Sequence, residues 1–510
     1  MPAKQRALLT PAFSLIAISG WMVGFPAYAN QCDSLSSGLY QYVNTVSLTQ
    51  QPTSYSFQYG GNTVIGNFSG SDGLIGFHMT SPEGTDADVG TPGPSMSLYN
   101  CGSLNPVGLD GVGTNYFGME AFSGGADGPH AENAGSFSSA GGGWNGGAGG
   151  ALTLVNLGTI TTDQDGYGGI FAHSLGGDGG NGGDGGGAFD QYSGTNGGLG
   201  GNGGSISIQN TGTITTSGKS APAVKARSEG GAAGAGGSGG WAAWSSGGSG
   251  GTGGNSGREV TTTNLGNITT QGNGSAGVLM QSIGGNGGTG GSQASGIYAL
   301  GANGGAGGAG GKIDATNAGT ITTLGHQSPG MSGLSLGGGG GDGGDASEVS
   351  VISGVAIGGR SGGGGHAETV TLTNSNTITT QGRHSPGLLA SSIGGGGGHG
   401  GQADGLTLSS ALLTPVSVNV AVGGNGGNAG AGGGIQATSS GILSTGAIAS
   451  CPFEQCGPTP GTSPIYGDHS PGILAHSIGG GGGVGGNDLS VAGTEGGISL
   501  SVGSGGSAGG

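Results

Sequence analysis

The heptapeptide Asn-Thr-Gly-Thr-Ile-Thr-Thr at residues 210–216 decides the fold class, because it recurs. Related strings stand at 156–162 (NLGTITT), 264–270 (NLGNITT), 317–323 (NAGTITT) and 374–380 (NSNTITT), the last with Asn376 in place of Gly. A degraded sixth copy is read at 444–450 (STGAIAS). The central isoleucines are Ile160, Ile214, Ile268, Ile321, Ile378 and Ile448, at intervals of 54, 54, 53, 57 and 70 residues. A second string trails each copy: AHSLGG from Ala172, ARSEGG from Ala226, MQSIGG from Met280, GLSLGG from Gly333, ASSIGG from Ala390 and AHSIGG from Ala475. A glycine tract follows every one. Self-similarity at a near-constant period marks a stack of structural repeats.

Both strings read as strands. The Ile-Thr-Thr run favours β structure, Gly and Asn punctuate it, and no window keeps a 3.6-residue period. The trailing string alternates. In its second copy Lys225, Arg227 and Glu229 alternate with Val224, Ala226 and Ser228. Three charges do not enter a thin core. Val224, Ala226 and Ser228 therefore face inward, as do their equivalents Val278, Met280 and Ser282. Stacking predicts an isoleucine ladder and an amide ladder of Asn156, Asn210, Asn264, Asn317 and Asn374. The Asn-x-Gly order predicts a corner with positive φ. A repeat of this length needs further strands, and Ser205–Ile208 and Val416–Val422 supply the alternation. The expected fold is all-β: a right-handed parallel β-helix with Gly-rich loops over residues 151–510. Residues 30–150 are read as a small N-terminal β cap, with strand alternation at Ser54–Tyr59. The chain ends at Gly510 inside an inter-string segment, which reads as a C-terminal truncation.

Composition narrows the alternatives. Glycine supplies 139 of 510 residues and proline 18, which excludes an ordinary helical or α/β enzyme. No strict Gly-X-Y period exists, so collagen is excluded. Only 9 residues are Lys or Arg against 26 Asp or Glu, and none of the basic ones lies between Arg6 and Lys219. A basic nucleic-acid surface is excluded on that count. Residues 1–29 read as a secretory signal, with Lys4 and Arg6, an apolar run from Leu8, and Ala27-Tyr28-Ala29 as the cleavage site before Asn30. Four cysteines in an exported chain imply two disulfides. Of the three connectivities, Cys32–Cys101 and Cys451–Cys456 join neighbours in sequence.

Chemistry-bearing motifs fail on inspection. Gly218-Lys219-Ser220 lacks the earlier glycine of a P-loop, and Gly311-Lys312 lacks the hydroxyl residue. Gly179–Asp184 and Gly337–Asp342 match the first six places of a calcium-binding nonapeptide. Gly186 and Gly344 then stand where a large apolar residue is required. Asp178, Asp184, Asp342 and Asp345 remain as weak Ca²⁺ binders at most. Gly461-Thr462-Ser463 reads as a polar loop. His384 and His469 occupy equivalent places, as do His173 and His476, and both pairs read as solvated residues. No catalytic, cofactor-binding or metal residue is assigned, and no cofactor is expected.

Two long strings carry a family resemblance: QGRHSPGLLASSIGGGGG at 381–398 and GDHSPGILAHSIGGGGG at 467–483. Together with the exported N-terminus they resemble the passenger regions of Gram-negative autotransporters, over roughly residues 150–510. The resemblance implies a right-handed parallel β-helix, carried over the outer membrane by a C-terminal translocator barrel that is absent from this sequence. It implies display at the cell surface or release, a structural or adhesive role toward host or neighbouring cells, and no enzymatic activity. A truncated product would stay periplasmic. The alternatives are an unfolded Gly-rich matrix polymer and a β-helical polysaccharide-active enzyme.

Overall fold

A computed structural model describes residues 41–44, 55–59, 62–66, 77–80, 90–104 and 117–502, apart from short breaks of which 447–468 is the longest. Residues 1–29, read above as a secretory signal, and the four cysteines of the expected disulfides lie outside the described residues. Among those described, the chain is all-β, without a helix, in five sheets of stacked and largely parallel strands.

One tier shows the plan. Strand Ile206–Asn210 lies in sheet I, Thr213–Thr216 in sheet II and Val224–Glu229 in sheet III. The chain then runs outward along a glycine tract, turns, and returns along a second tract. Glu259–Asn264 begins the next tier on sheet I. From the fourth tier onward the far ends of the tracts carry paired short strands. Tyr298–Leu300 and Ser353–Ile357 belong to sheet IV; Gln293–Ser295 and Ala346–Ser350 belong to sheet V. Of the two alternating runs expected to be extra strands, one falls in sheet I and the other, Val418–Val422, in sheet IV.

Equivalent residues stack in register. Ile160, Ile214, Ile268, Ile321 and Ile378 form one ladder and are at most 1% exposed. Val224, Ala226, Ser228, Val278, Met280 and Ser282 all face inward and are buried. Lys225, Arg227 and Glu229 lie on the opposite face, as their charge requires. The amide ladder is present as well. Each Asn donates from Nδ2 to Oδ1 of the next: Asn156 to Asn210 at 2.7 Å, Asn210 to Asn264 at 2.8 Å, Asn264 to Asn317 at 2.7 Å. The second amide hydrogen goes to the carbonyl two residues on, as in Asn264 to Gly266 at 3.2 Å.

Three sequence expectations need correction. The sixth copy is displaced: Leu443 pairs with Ile378 and Ser439 with Asn374, so the string is SSGILST at 439–445 and Ile448 is not its ladder residue. The substitution is tolerated because the Ser439 hydroxyl accepts from Asn374 Nδ2 at 2.9 Å. The stack also reaches further back than residue 151. Asn100 pairs with Asn156, Leu104 with Ile160, and Met119–Gly124 with Ile170–Leu175. The described residues between 96 and 150 thus build a tier in which Leu104 replaces the isoleucine. Ahead of it, Tyr55–Tyr59 and Asn62–Gly66 pair antiparallel and lie at that end of sheet III. Lastly, the Asn-x-Gly corner has no positive φ. Its glycine is there because a Cβ on Gly212 would collide with the Gly158 carbonyl of the tier beneath. Positive φ occurs instead at the bend between sheets II and III, at Gly166, Ser220, Gly274, Gln327, His384 and His469 (51–81°).

The glycine tracts are rods packed in two layers, one of outgoing and one of returning segments. They have the three-residue period of an extended threefold helix. Backbone donors are accounted for in threes. The Gly284 N–H donates to Leu336, the strand residue from which the outgoing rod of the next tier starts, and the Gly285 N–H to Gly254 in the opposite layer. The third residue faces out, and its N–H is accepted by a side chain one tier back where Asn, Asp or His stands there. Gly339 donates to Asn286 Oδ1 at 2.9 Å, and Ala235 to Asn181 Oδ1 at 2.9 Å. A zigzag of N–H···O bonds crosses between the layers from Ala126 through Gly147, Gly177, Gly201 and Gly231 to Gly480, at 2.7–2.9 Å per step. A Cβ on Gly177, Gly231 or Gly285 would lie under 3.0 Å from a carbonyl of the same layer one tier back, a separation that real Cβ atoms essentially never show.

Two predictions follow from this packing. Gly231→Ala should lower stability by about 1–3 kcal/mol through overpacking. Gly396→Ala, on the outer row, should stay within about 0.5 kcal/mol. Denaturant midpoints of the two variants decide, and equal effects would contradict the rod packing. Asn264→Ala leaves one ladder donor and one acceptor without partners and should cost about 2 kcal/mol or more. A loss below about 0.5 kcal/mol would show that the ladder is incidental.

Candidate functional surface

Most outward positions of the stack carry Thr, Ser, Asn or Gly. The densest chemistry lies on the outer face of sheet III, across its strands Met119–Gly124, Ile170–Leu175 and Val224–Glu229. Strand alternation puts Phe122, Phe171, His173, Lys225, Arg227 and Glu229 on that one face. The Phe117 and Phe171 rings lie 4.7 Å apart, Phe171 stacks on His173 at 5.8 Å, and Phe122 meets His173 edge-on at 5.2 Å. Lys225 Nζ sits 4.8 Å from the Phe171 ring centre, a cation–π contact. Arg227 and Glu229 form an ion pair at 2.8 Å, and His173 Nε2 stands 3.6 Å from the same carboxylate.

The electrostatics are mutual. The His173 imidazole holds the Glu229 carboxyl below the usual glutamate range; burial opposes this, and the Arg227 guanidinium adds to it. Burial pulls the Lys225 ammonium down, helped by the Arg227 charge and countered by Glu120. One tract further out, burial raises Asp178 despite the bond from the Ala232 N–H, and the Asp127 and Glu229 charges push the same way. The patch is an aromatic floor with a clamped guanidinium and a half-buried amine. Its side chains hold one another in place.

The residues weighed from sequence are dispersed. Asp178, Asp342 and Asp345 accept backbone N–H groups of the next tier, from Ala232, His399 and Gln402, at 2.6–2.7 Å. Asp184 accepts from Ser238 at 2.8 Å. Their carboxylates therefore serve the stacking. His384 and His469 do stack, with ring centres 5.2 Å apart, whereas His173 joins the aromatic patch. Among the described residues no three His, Cys, Asp or Glu side chains group to hold a metal ion. Gly461-Thr462-Ser463 lies outside the described residues. The aromatic patch was missed because Phe117 and Phe122 fall before residue 150. Its signal was present: Ala121-Phe122-Ser123 repeats the Ala172-His173-Ser174 spacing.

A second unusual group lies at the far end of the tracts. Sheets IV and V face each other there through Ala299, Ala346, Ala356, Ala403 and Ala421. These small residues let facing Cα atoms come within 8 Å, closer than the usual ~10 Å between sheets. Glu348 enters this space. It is 1% exposed, its carboxyl fills the place where Gly354 has no side chain, and neither oxygen has a hydrogen-bond partner. Burial pushes the carboxyl above the ordinary glutamate range, and the nearby Ser350 hydroxyl and Leu406 amide offset only part of that. An acid whose pKa is raised on folding leaves stability untouched in acid. As pH climbs past the unfolded value near 4.5, the unfolded chain ionises first and stability falls. Glu348→Gln should therefore match the parent below about pH 4.5 and be the more stable protein above it. Thermal midpoints of both proteins across pH 4–8 test this; a difference that does not change with pH would contradict it.

No family model matches the chain, and no curated protein or solved structure is significantly similar to it.

Proposed function

We propose that the chain is an exported structural and adhesive element, the passenger of an autotransporter-type system, whose stack is a right-handed parallel β-helix. One observation carries the reading: the same side chains recur tier after tier in register, so the molecule repeats surface instead of gathering a reaction centre. Each added tier extends it by about 4.8 Å without new chemistry. Right-handed crossover is the rule for parallel strands joined in one sheet. The leader at 1–29 and the strings at 381–398 and 467–483 support export and the family reading. In-register ladders favour a folded display element over an unfolded glycine polymer. The dispersal of Asp and His into stacking roles favours it over a polysaccharide-active enzyme. The partners are a translocator barrel in the outer membrane and, at the exposed faces, host or neighbouring cells; neither nucleic acid nor a small-molecule cofactor belongs to this role.

The test is to express the chain ahead of an outer-membrane translocator barrel in a Gram-negative host. The expected product begins at Asn30, is cleaved from intact cells by added protease, and makes the cells settle or adhere. An uncleaved leader, or surface display with no change in settling or adhesion, would overturn the proposal.

A further inference from the structure

The exposed apolar side chains are concentrated at the tract ends. Of nineteen large hydrophobic residues exposed among the described residues, thirteen lie on sheets IV and V or their adjoining segments. On sheet IV they share one face. Ala299, Ala356 and Ala421 point inward, so Leu300 (41% exposed), Ile357 (39%) and Val418 (41%) point away from sheet V. Ile498 and Leu500 continue the same face on the last strand. No outward position of sheet IV carries a charge. Sheet V has Asp404 on its outer face.

We infer that the outer face of sheet IV docks against the same face of a second copy of this chain. Two arguments select that occupant. The first is charge. The chain has 26 acidic residues against 9 basic ones, so two copies repel over most of their surface, and this uncharged face is where they can meet without burying carboxylates. The second is area. Five strands at about 4.8 Å, two of three residues and three of five, offer roughly 330 Å² per copy, or about 660 Å² for the pair. A stable pair of free proteins needs about 1,200–2,000 Å². One contact is therefore too weak to hold two free molecules. Many contacts between two surfaces that each display many copies hold by multivalency. The inference thus gives the proposed adhesive role a partner, and it rests on that reading for its setting on cells.

The test uses the purified chain from Asn30, coupled by its N-terminus to beads. Wild-type beads should cluster while the free protein sediments as a monomer at micromolar concentration. Leu300→Lys with Ile357→Lys, and separately Leu300→Glu with Ile357→Glu, should each cut clustering by about tenfold or more. Mixing the two kinds of bead should restore it, since opposite charges then face each other. Thr289→Lys with Ala306→Lys, on the exposed rows of the glycine rods, should cluster like wild type, and circular dichroism should show every variant folded. Failure of wild-type beads to cluster would overturn the inference. So would sheet IV variants that cluster normally, or mixed beads that stay apart. Capture of neutral phosphatidylcholine vesicles by beads that do not cluster would assign the face to lipid instead. Beads that cluster, beside displaying cells that do not, would leave the docking face standing and remove the surface-adhesion reading.

Discussion

The structure depends on one close approach. In the glycine rods a backbone carbonyl of one layer sits where the next layer would otherwise carry a Cβ, and the N–H beside it completes a hydrogen bond of 2.7–2.9 Å. Glycine at these positions serves contact, not turning: among the described glycines, positive φ occurs only elsewhere, at Gly90, Gly166, Gly274 and Gly446. The entropy that a glycine-rich chain loses on ordering is large. It is offset by a lattice in which two of every three N–H groups bond to neighbouring rods and many of the third are met by side chains.

That lattice and the stacked sheets share a translation. The isoleucine and asparagine ladders advance one tier per step, and the zigzag between layers advances one tier for every two bonds. A defect in one therefore shifts the others, and this explains the narrow spread of repeat lengths where the tip loops are short. Register survives differences in spacing: Leu443 still pairs with Ile378 and Ile473 with Leu388. Side chains with chemistry are used in the same way. Asp178, Asp342 and Asn286 spend their oxygens on the N–H groups of the following tier.

Two places depart from this economy. The aromatic patch on sheet III gathers a cation–π contact, an ion pair and a histidine on one face. The tract-end sheets leave Glu348 buried without a partner and turn an uncharged apolar face to solvent. Local rules that hold along the whole stack are broken at both, and such exceptions are where interaction with other molecules is expected.

The sequence by itself determined the strand class, the ladders and the inward face of the trailing string, because each follows from side-chain chemistry at a fixed repeat. The charges at 225, 227 and 229 could point only one way. It also contained copies that a search for Ile-Thr-Thr passes over: Asn100-Cys101-Gly102-Ser103-Leu104, and Ser439–Thr445, where a hydroxyl takes the amide's place. Tertiary structure alone decided what the glycine tracts do. A run of Gly-Gly-x reads equally as a flexible loop or a packed rod, since the difference lies in carbonyls supplied by other tiers. The same holds for the aromatic patch, whose rings come from two tiers and whose charges come from a third, and for Glu348, whose burial comes from a facing glycine. Such features require neighbours distant in the chain, and no local string specifies them.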